Sequence, residues 1–303
     1  MLKQSKTQIS LVVTLGLMII GQMGFSLYKS YSSRSSFQIM PKKKIARAGS
    51  AKSFGLTLSE DTHFCVSSVR ELDQVFDNCD YTLTKTKTKG EVPRLYLAKL
   101  PKDMKRKKKS SNFTFIQVLL PHILKVNEQI LSDRNRLLEM QKRQKGGHTL
   151  RPSEKIWIMK LASEYRCKST KIESLLKHVD IIPPSLALAQ GILETGGGRS
   201  PAALTKNSTF GHMATKTKVA KFESLHASVK AYALNLNRHS AYAHFRKTRA
   251  SLRTQNQKLC GIKLASCLLK YSERGTAYTR DLQDLIRKRG LGGYDEQHVR
   301  LKP

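Results

Sequence analysis

The sequence predicts a mainly α-helical domain that carries one small β element. Between residues 113 and 289, apolar side chains recur at the three- and four-residue spacing of an amphipathic helix. One run, from residue 206 to 222, instead combines Thr, Val and Phe with Gly and predicts a single β-hairpin. Hydrophobic residues make up 39% of the chain, which is enough to form a core.

The N-terminal 28 residues predict a signal anchor or a signal peptide. No charged residue occurs from Ile9 to Tyr28, and Lys3 and Lys6 precede this stretch. A run of about 20 apolar residues is long enough to cross a bilayer. Because we find no small-residue cleavage site, an uncleaved anchor is favoured over a cleaved signal. Basic residues flank both ends, so the positive-inside rule does not fix the orientation.

Residues 29–60 are rich in Ser, Lys and Arg and predict a basic tether. Residues 61–111 form a cysteine-containing segment to which we assign no function. If the chain is exported, Cys65 and Cys79 are a plausible disulfide, and reduced thiols are an equally good interpretation. The five cysteines show no metal-binding spacing, so no metal or cofactor is expected.

The remaining residues, 112–303, predict the main domain. A long helix is expected from Phe113 to Met140, with Pro121 at a break or in a first turn. Ser224 is the expected N-cap of a helix that carries Leu225, Val229 and Leu236. The other predicted helices cover Ile156–Tyr165, Lys171–His178, Ile262–Tyr271 and Ala277–Arg289.

The segment from Ile181 to Ser200 stands out because it places one carboxylate at the end of an apolar helix. Ser185 is the candidate N-cap after two prolines, and three glycines from Gly196 onward predict the end of the helix. Gln190 and Glu194 are four residues apart and share a face. Apolar surroundings raise a carboxyl pKa, as a general acid requires, although a solvated helix end is the usual meaning of such a segment alone.

The formal net charge is +33, from 55 Lys and Arg against 22 Asp and Glu. This charge favours an anionic partner, which includes nucleic acid, acidic lipid and anionic cell-wall polymer. The sequence contains no nucleic-acid-binding motif, so no specific nucleic acid partner is expected.

Several motifs occur in series along the chain: LPHILKVNEQILSDRNRLL, VDIIPPSLALAQ, LALAQGILETGGGRS, FGHMA, SVKAYALNLNRHSAYAHFRKTRASLR and YSERGTAYTRDLQDLIR. Together they resemble the glucosaminidases of glycoside hydrolase family 73, in particular their Bax-type branch. The resemblance covers roughly residues 92 to 295, in order and without large gaps.

This resemblance implies a lysozyme-like fold, in which a helical lobe and a small β lobe flank a cleft. It also implies cleavage of the glycosidic bond after N-acetylglucosamine in peptidoglycan, by a protein of the cell envelope that is anchored in the inner membrane facing the periplasm, or exported. By position, Glu194 is the catalytic general acid and Tyr278 a second catalytic side chain. The implied substrate-binding residues are Gln190, Phe210, Gly211, Tyr271 and Tyr232.

The chain departs from the family pattern at several positions. Thr195 and Gly197 replace a serine and a tryptophan of the family motif, and Ser208 and Thr209 replace an Asn-Leu pair. No Asp or Glu occurs between Phe210 and Phe222, and Lys218 stands about where related chains often carry Glu. The nearest other carboxylates, Glu223 and Glu273, are expected to cap a helix and to pair with Arg274 or solvent.

A second catalytic carboxylate is therefore missing from the sequence pattern. One explanation is that the substrate's own acetamido group acts as the nucleophile, as in substrate-assisted glycosidases. The alternative is a non-catalytic or weakly active protein of the same fold that binds cell-wall glycan. A third possibility is a charge-driven binder of nucleic acid or anionic lipid, whose binding would weaken steeply with salt.

Overall fold

The computed structural model describes residues 46–47, 61–106, 113–215 and 217–303. The described part is mainly helical, as predicted, and one large hydrophobic cluster extends from Phe64 to Leu301. The predicted N-terminal helix and most of the basic tether lie outside the described residues. No helix within the described residues combines the length and the apolar character needed to cross a membrane.

The helices are α1 (Val69–Asn78), α2 (Leu83–Lys89), α3 (Phe113–Lys145), α4 (Pro152–Glu164), α5 (Ile172–His178), α6 (Pro184–Thr195), α7 (Pro201–Lys206), α8 (Leu225–Arg238), α9 (Ala243–Thr254), α10 (Gly261–Ala265) and α11 (Thr276–Lys288). Short 3-10 turns cover Lys102–Arg106, Ser240–Tyr242 and Leu291–Asp295. The strands are β1 (Ala46–Arg47), β2 (Thr62–Cys65), β3 (Glu91–Val92), β4 (Leu95–Leu97) and β5 (Arg300–Leu301).

The strands form two small parallel sheets, with the orders β1-β2-β4 and β3-β5. In the second sheet Glu91 pairs with Arg300, so the sheet joins the segment before α3 to the C-terminal end of the chain. Leu72 and Phe76 of α1 belong to the large hydrophobic cluster. The sequence-based boundary at residue 112 therefore does not coincide with a division of this core. Cys65 and Cys79 are both free thiols.

Helix α3 is longer than predicted, and Pro121 lies inside it without breaking it. A proline in a helix leaves the carbonyl four residues earlier without its usual N–H donor. Here that carbonyl belongs to Gln117, and it accepts a hydrogen bond of 3.1 Å from the Tyr81 hydroxyl. The replacement donor comes from outside the helix, which explains why the sequence of the helix alone predicted a break.

The expected β-hairpin is present in a short form, as one antiparallel bridge between Met213 and Val219 with backbone hydrogen bonds from Ala214 to Lys218 and from Ala220 to His212. At its tip the Thr215 hydroxyl accepts the backbone N–H groups of Thr217 and Lys218 at 3.3 and 3.0 Å. These side-chain bonds hold the tip as a turn, in competition with a regular ladder.

The other helix predictions are confirmed within one to a few residues, with one exception. Ser224 is the N-cap of α8, as predicted, and its hydroxyl accepts the N–H of Ala227 at 3.1 Å. Helix α10 ends at Ala265, so the helix predicted to reach Tyr271 is wrong over its second half. There Cys267, Leu268 and Tyr271 donate hydrogen bonds to carbonyls three residues earlier, and the chain tightens into turns.

Two neighbouring histidines lie between α3 and α8, of which His122 is buried and His226 is partly buried. His122 is 1% exposed, and one of its ring nitrogens lies 3.1 Å from the backbone oxygen of Leu97. Its ring centroid lies 6.1 Å from that of His226. Burial, followed by the neighbouring His226 and His63, lowers the pKa of His122 to about 3, and burial and Lys230 lower that of His226 to about 4. Both histidines are therefore neutral in the folded protein near neutral pH.

These histidines should make the protein less stable as the pH falls below neutrality. The unfolded chain binds protons near pH 6.5 while folded His122 does not, so stability is complete above that pH and is lost as the pH decreases toward the folded pKa. In this pH window each histidine lowers the free energy of unfolding by about 1.4 kcal/mol for each unit that the pH decreases. The free energy of unfolding can be measured with urea at several pH values between 7 and 5. The slope of this free energy against pH should be smaller for His122→Gln than for the original chain. His148, an exposed residue after α3, is the matched control, and His148→Gln should leave the slope unchanged.

Candidate active site

Helix α6 lies at the centre of the structure and packs against α3, α10, α11 and the turn Leu291–Asp295. Its residues from Pro184 to Ile192 are all buried. A side chain at Gly191 would place its Cβ 2.8 Å from Leu119 of α3, so this glycine permits the close approach of the two helices. Such burial fixes the position of the helix and therefore of the side chains at its end.

The loop that leads into α6 is anchored by a buried charge cluster. The Asp180 carboxylate is 1% exposed and receives two hydrogen bonds from Arg253, at 3.1 and 2.9 Å. Arg249, which is fully buried, donates to the backbone oxygens of Asp180 and Ile181 at 3.0 Å each. Burial alone would raise the pKa of Asp180, but the arginines lower it below its usual value. The cluster holds an ionised carboxylate directly before the helix.

The N-terminal end of α6 is bound differently from the prediction. Pro183 is the N-cap and Ser185 lies inside the first turn, so the assignment of Ser185 as N-cap is wrong. The carboxylate of Asp295 takes the capping role, because it accepts the Ser185 N–H at 2.8 Å and its hydroxyl at 2.6 Å. The same carboxylate accepts the N–H of Gly261 at 2.9 Å. A negative charge at a helix N-terminus is favourable, and here it comes from more than 100 residues away in the chain.

The C-terminal end of α6 follows the prediction. Gly196 adopts a left-handed conformation with φ of 61° and ends the helix. Thr195, which is 3% exposed, donates its hydroxyl to Gly191 at 2.6 Å and accepts the N–H of Gly198 at 2.7 Å. Thr195 therefore keeps the hydroxyl that the family serine supplies, and it ties the glycine turn to the helix.

Glu194 lies at this end of α6 and is partly buried. Its Oε1 accepts a hydrogen bond of 2.9 Å from the hydroxyl of Tyr278 in α11. Burial raises the pKa of the Glu194 carboxyl, and the hydrogen bond from Tyr278 lowers it in part. The side chain is therefore a carboxyl group whose protonated form is stabilised relative to an exposed glutamate.

Two residues predicted to bind substrate are instead part of the interior. Gln190 and Tyr232 are each 0% exposed. The Tyr232 hydroxyl donates to Gln190 Oε1 at 2.7 Å, and Gln190 Nε2 donates to the Tyr278 hydroxyl at 3.0 Å. Both side chains reach Glu194 only through Tyr278, so in this structure neither lies on the surface that a substrate would contact.

The other predicted residues surround the same carboxyl group. Phe210 is 2% exposed and stacks on Tyr232 with ring centroids 3.9 Å apart. Tyr271 is partly exposed, stacks on Tyr278 at 5.6 Å and donates its hydroxyl to the Phe210 backbone at 3.0 Å. Gly211 is exposed, and a Cβ there would lie 3.1 Å from Glu194 Oε2. The structure thus brings all seven predicted residues together, and Glu194, Tyr271 and Gly211 form its accessible side.

The polar pair that replaces Asn-Leu in the turn before Phe210 has a structural explanation. Thr209 is fully buried, and its hydroxyl lies 2.8 Å from that of Ser228 in α8. The Thr209 N–H also donates to Ser228 at 3.2 Å. A hydrogen-bonded pair therefore anchors this turn in place of an apolar side chain. Gly197, in place of the family tryptophan, is buried and has a φ of 75°.

Within the described residues, no second carboxylate contacts Glu194. Its pKa depends only on burial and on Tyr278. Glu223 and Glu273 are exposed. Arg274 pairs with Asp281 at 2.5 Å, so of the two partners expected for Glu273, Arg274 or solvent, the structure agrees with solvent. Lys218 is exposed in the turn that follows Thr215. The second carboxylate that the sequence pattern lacks is therefore also not found beside Glu194 in the described part of the fold.

Sequence reasoning missed the contributions of Asp295, Thr209 and Ser228, which support the site from a distance in the chain. It also missed Arg199, which follows the glycine turn and has its Nη1 buried without a hydrogen-bond partner. Only Arg199 carried a local signal, as a charged residue five positions after Glu194. The others depend on contacts that no local pattern contains.

One groove of the described residues lies at the opposite end of α6. It has a volume of about 1500 Å³, and its lining includes Pro183, Pro184 and Asp295 but not Glu194. A helix of 12 residues is about 18 Å long, so this groove is separate from the carboxyl group. The polar network around Glu194 and the family motifs therefore indicate a different place from this groove.

A partly buried carboxyl with a raised pKa can hold a proton and transfer it to an oxygen that approaches from the accessible side. This chemistry agrees with the comparisons. The model of the glucosaminidase family, described as mannosyl-glycoprotein endo-β-N-acetylglucosaminidase, matches residues 170–291, which include the site. At the level of the family, this match supports a glycosidase-type, glycan-cleaving hydrolase.

The protein Bax of Escherichia coli (strain K12) is 31% identical to this chain over 225 residues. The aligned region covers 69% of this chain and 78% of Bax. The chain therefore belongs to the glucosaminidase family and is similar to Bax within it. No solved structure was found to match the chain.

Replacement of Tyr278 by Phe should raise the pKa of Glu194. The tyrosine hydroxyl donates to the carboxylate and so favours its charged form, and the variant loses this donor. The pKa can be measured by carbon NMR titration of ¹³C-labelled glutamate, with the Glu194 signal assigned from Glu194→Gln. Tyr165 is 3% exposed and lies outside the site, so Tyr165→Phe is the matched control. An unchanged or lower pKa in Tyr278→Phe would contradict the assigned contact.

Proposed function

We propose that the protein is a peptidoglycan hydrolase, an endo-type N-acetylglucosaminidase that uses Glu194 as its general acid. The observation that carries this proposal is the partly buried Glu194 carboxyl, which accepts the Tyr278 hydroxyl and has a raised pKa. Family membership supports glycan cleavage, and the helical domain with its small bridged loop is consistent with a lysozyme-like arrangement. The substrate would approach over Tyr271 and Gly211, the accessible side of the site.

In this reaction Glu194 transfers its proton to the bridging oxygen as the glycosidic bond breaks. Since no second carboxylate contacts Glu194 within the described residues, the carbonyl oxygen of the substrate's 2-acetamido group attacks the anomeric carbon. Water then opens the resulting oxazolinium ring and returns a proton to Glu194. Tyr278 holds the carboxylate in place during both steps, and its partner Tyr271 lies beside the sugar.

The net charge and the N-terminal sequence support a location in the cell envelope. A charge of +33 favours adhesion to an anionic envelope polymer. The uncharged stretch from Ile9 to Tyr28 would anchor the protein in the inner membrane with its domain facing the periplasm, or direct its export. Both routes bring the site to peptidoglycan.

Replacement of Glu194 by Gln should preserve the fold and reduce cell-wall lysis by about 10²- to 10⁴-fold, the usual contribution of general acid catalysis. Glutamine keeps the shape of the side chain but has no proton to transfer at the carboxyl oxygen. The measurement is mass spectrometry of digested peptidoglycan, which identifies the cleaved bond by the sugar at the new reducing end. A zymogram band of unchanged strength in Glu194→Gln would rule out this role.

The missing second carboxylate also favours a second candidate, a non-catalytic protein of the same fold that binds peptidoglycan. The same digest separates the two functions. If the original chain sediments with peptidoglycan but releases no reducing ends, the protein is a binder. If it releases reducing ends on N-acetylglucosamine, it is the proposed enzyme.

Replacement of Gly211 by Ala should reduce hydrolysis more than a loss of stability explains. The new Cβ would lie 3.1 Å from Glu194 Oε2, so the carboxyl must shift by a few tenths of an ångström. Gly147 is the matched control, because it also has a positive φ, of 86°, but a Cβ there would meet no atom within 4 Å. Both variants should lose about 1 kcal/mol of stability from backbone strain. Only Gly211→Ala should lose activity at a temperature where both remain folded.

A further inference from the structure

The site contains a chain of hydrogen bonds that begins in the interior and ends on Glu194. The Tyr232 hydroxyl donates to Gln190 Oε1 at 2.7 Å, and Gln190 Nε2 donates to the Tyr278 hydroxyl at 3.0 Å. The Tyr278 hydroxyl then donates to Glu194 Oε1 at 2.9 Å. The four members belong to three helices, since Tyr232 lies in α8, Gln190 and Glu194 lie in α6 and Tyr278 lies in α11.

Tyr232, at the buried end of this series of hydrogen bonds, determines which group donates and which accepts in each bond. Tyr232 is 0% exposed, and Gln190 Oε1 is the acceptor of its hydroxyl within the described residues. If the Gln190 amide were rotated, its nitrogen would face Tyr232 and the hydroxyl proton would have no acceptor. An unpaired buried donor is costly, so Tyr232 holds the amide oxygen on its own side. The amide nitrogen must then point to Tyr278.

The orientation of the Gln190 amide determines which way the Tyr278 hydroxyl donates, and therefore which hydrogen bond Glu194 receives. Because Gln190 supplies a proton to the Tyr278 oxygen, Tyr278 cannot donate back to Gln190, and its single proton points to Glu194 Oε1. In the rotated arrangement Tyr278 would donate to Gln190 instead and would present a lone pair to Glu194. The Tyr278 oxygen would then accept a hydrogen bond from a proton on Glu194 Oε1, and this acidic proton would point toward the interior.

We propose that Tyr232 and Gln190 are positioning residues, which fix Tyr278 as a donor to Oε1 and thereby place the transferable proton of Glu194 on Oε2. Oε2 is the oxygen nearest to the exposed Gly211, where a Cβ would lie 3.1 Å away. The acidic proton therefore faces the accessible side of the site. This assignment rests on the proposed role of Glu194 as general acid, and it replaces the substrate-binding role that the sequence suggested for Gln190 and Tyr232.

The test is Tyr232→Phe in the full-length chain, with the pKa of Glu194 measured by carbon NMR titration of ¹³C-labelled glutamate. Without the Tyr232 hydroxyl, the Gln190 amide is free to rotate, and Tyr278 no longer has to donate to Glu194. The ionised carboxylate then loses its donor, so the pKa of Glu194 should increase. Tyr165→Phe removes a hydroxyl from another buried tyrosine and should leave this pKa unchanged.

Activity provides a second readout. A general acid works in its protonated form, so the rate decreases as the pH rises through its pKa. In Tyr232→Phe this alkaline decrease should move to higher pH, while the maximal rate falls roughly 10- to 100-fold because the proton is misdirected. A merely structural role of Tyr232 would lower the rate or the stability without moving the alkaline decrease.

Gln190→Met is the second variant, for the case that Tyr232→Phe does not fold. Methionine has a similar length but cannot donate to the Tyr278 oxygen. The Tyr278 hydroxyl then loses the polarisation that the Gln190 N–H supplies and becomes a weaker donor to the Glu194 carboxylate, so the pKa of Glu194 should again increase, by less than in Tyr232→Phe. An unchanged or lower pKa in a folded variant overturns the proposal. The NMR titration needs no substrate, so a chain without hydrolytic activity but with the expected pKa increase would disprove the proposed function and leave the hydrogen-bond direction supported.

Discussion

The burial of helix α6 is the constraint on which the rest of the structure depends. An apolar helix that is covered on all sides can end in a carboxylate only if its surroundings satisfy that group or keep it protonated. The structure does some of both, since Tyr278 supplies one hydrogen bond to Glu194 while burial raises its pKa. The same constraint operates at the other end, where Asp295 accepts the N–H of the buried Ser185. Helix α6 is therefore held by a carboxylate at its N-terminal end, by the hydroxyls of Thr195 and Tyr278 at its C-terminal end and by apolar contacts between them.

Buried polar groups also explain why the support of the site extends so far through the chain. Each such group needs a partner, and each partner that is itself buried needs another. Gln190 satisfies Tyr232 and Tyr278, and the Thr209–Ser228 pair satisfies the turn that carries Phe210 and Gly211. These contacts connect α6, α8 and α11. A rigid polar interior of this kind keeps a proton donor in one orientation without any contact from the substrate.

Local patterns in the sequence were sufficient to predict most helices, the glycine stop after Glu194 and the membership of the site, because helical spacing and the family motifs are both local. They were not sufficient wherever the decisive partner is distant. The hydroxyl of Tyr81 keeps α3 continuous at Pro121, and Asp295 displaces Ser185 as the cap of α6. For the same reason the sequence could place Gln190 and Tyr232 near Glu194 but could not show that both are buried. Burial depends on packing between helices, which a single segment does not encode.

The direction of the Glu194 proton has particular weight because, within the described residues, no second carboxylate contacts Glu194. In most glycosidases two carboxyl groups share the catalysis, and the distance between them determines whether the second activates a water or attacks the sugar. With Glu194 as the carboxylate in contact with Tyr278, the described residues offer hydrogen bonding in place of a second charge to orient it. With Glu194 as the proposed general acid, the substrate's acetamido group would supply the nucleophile, which requires that the proton and the leaving oxygen already be aligned when the sugar binds. In that proposal, a buried relay that fixes which oxygen carries the proton provides this alignment, and it gives the buried Gln190 amide and Tyr232 hydroxyl a role behind Glu194.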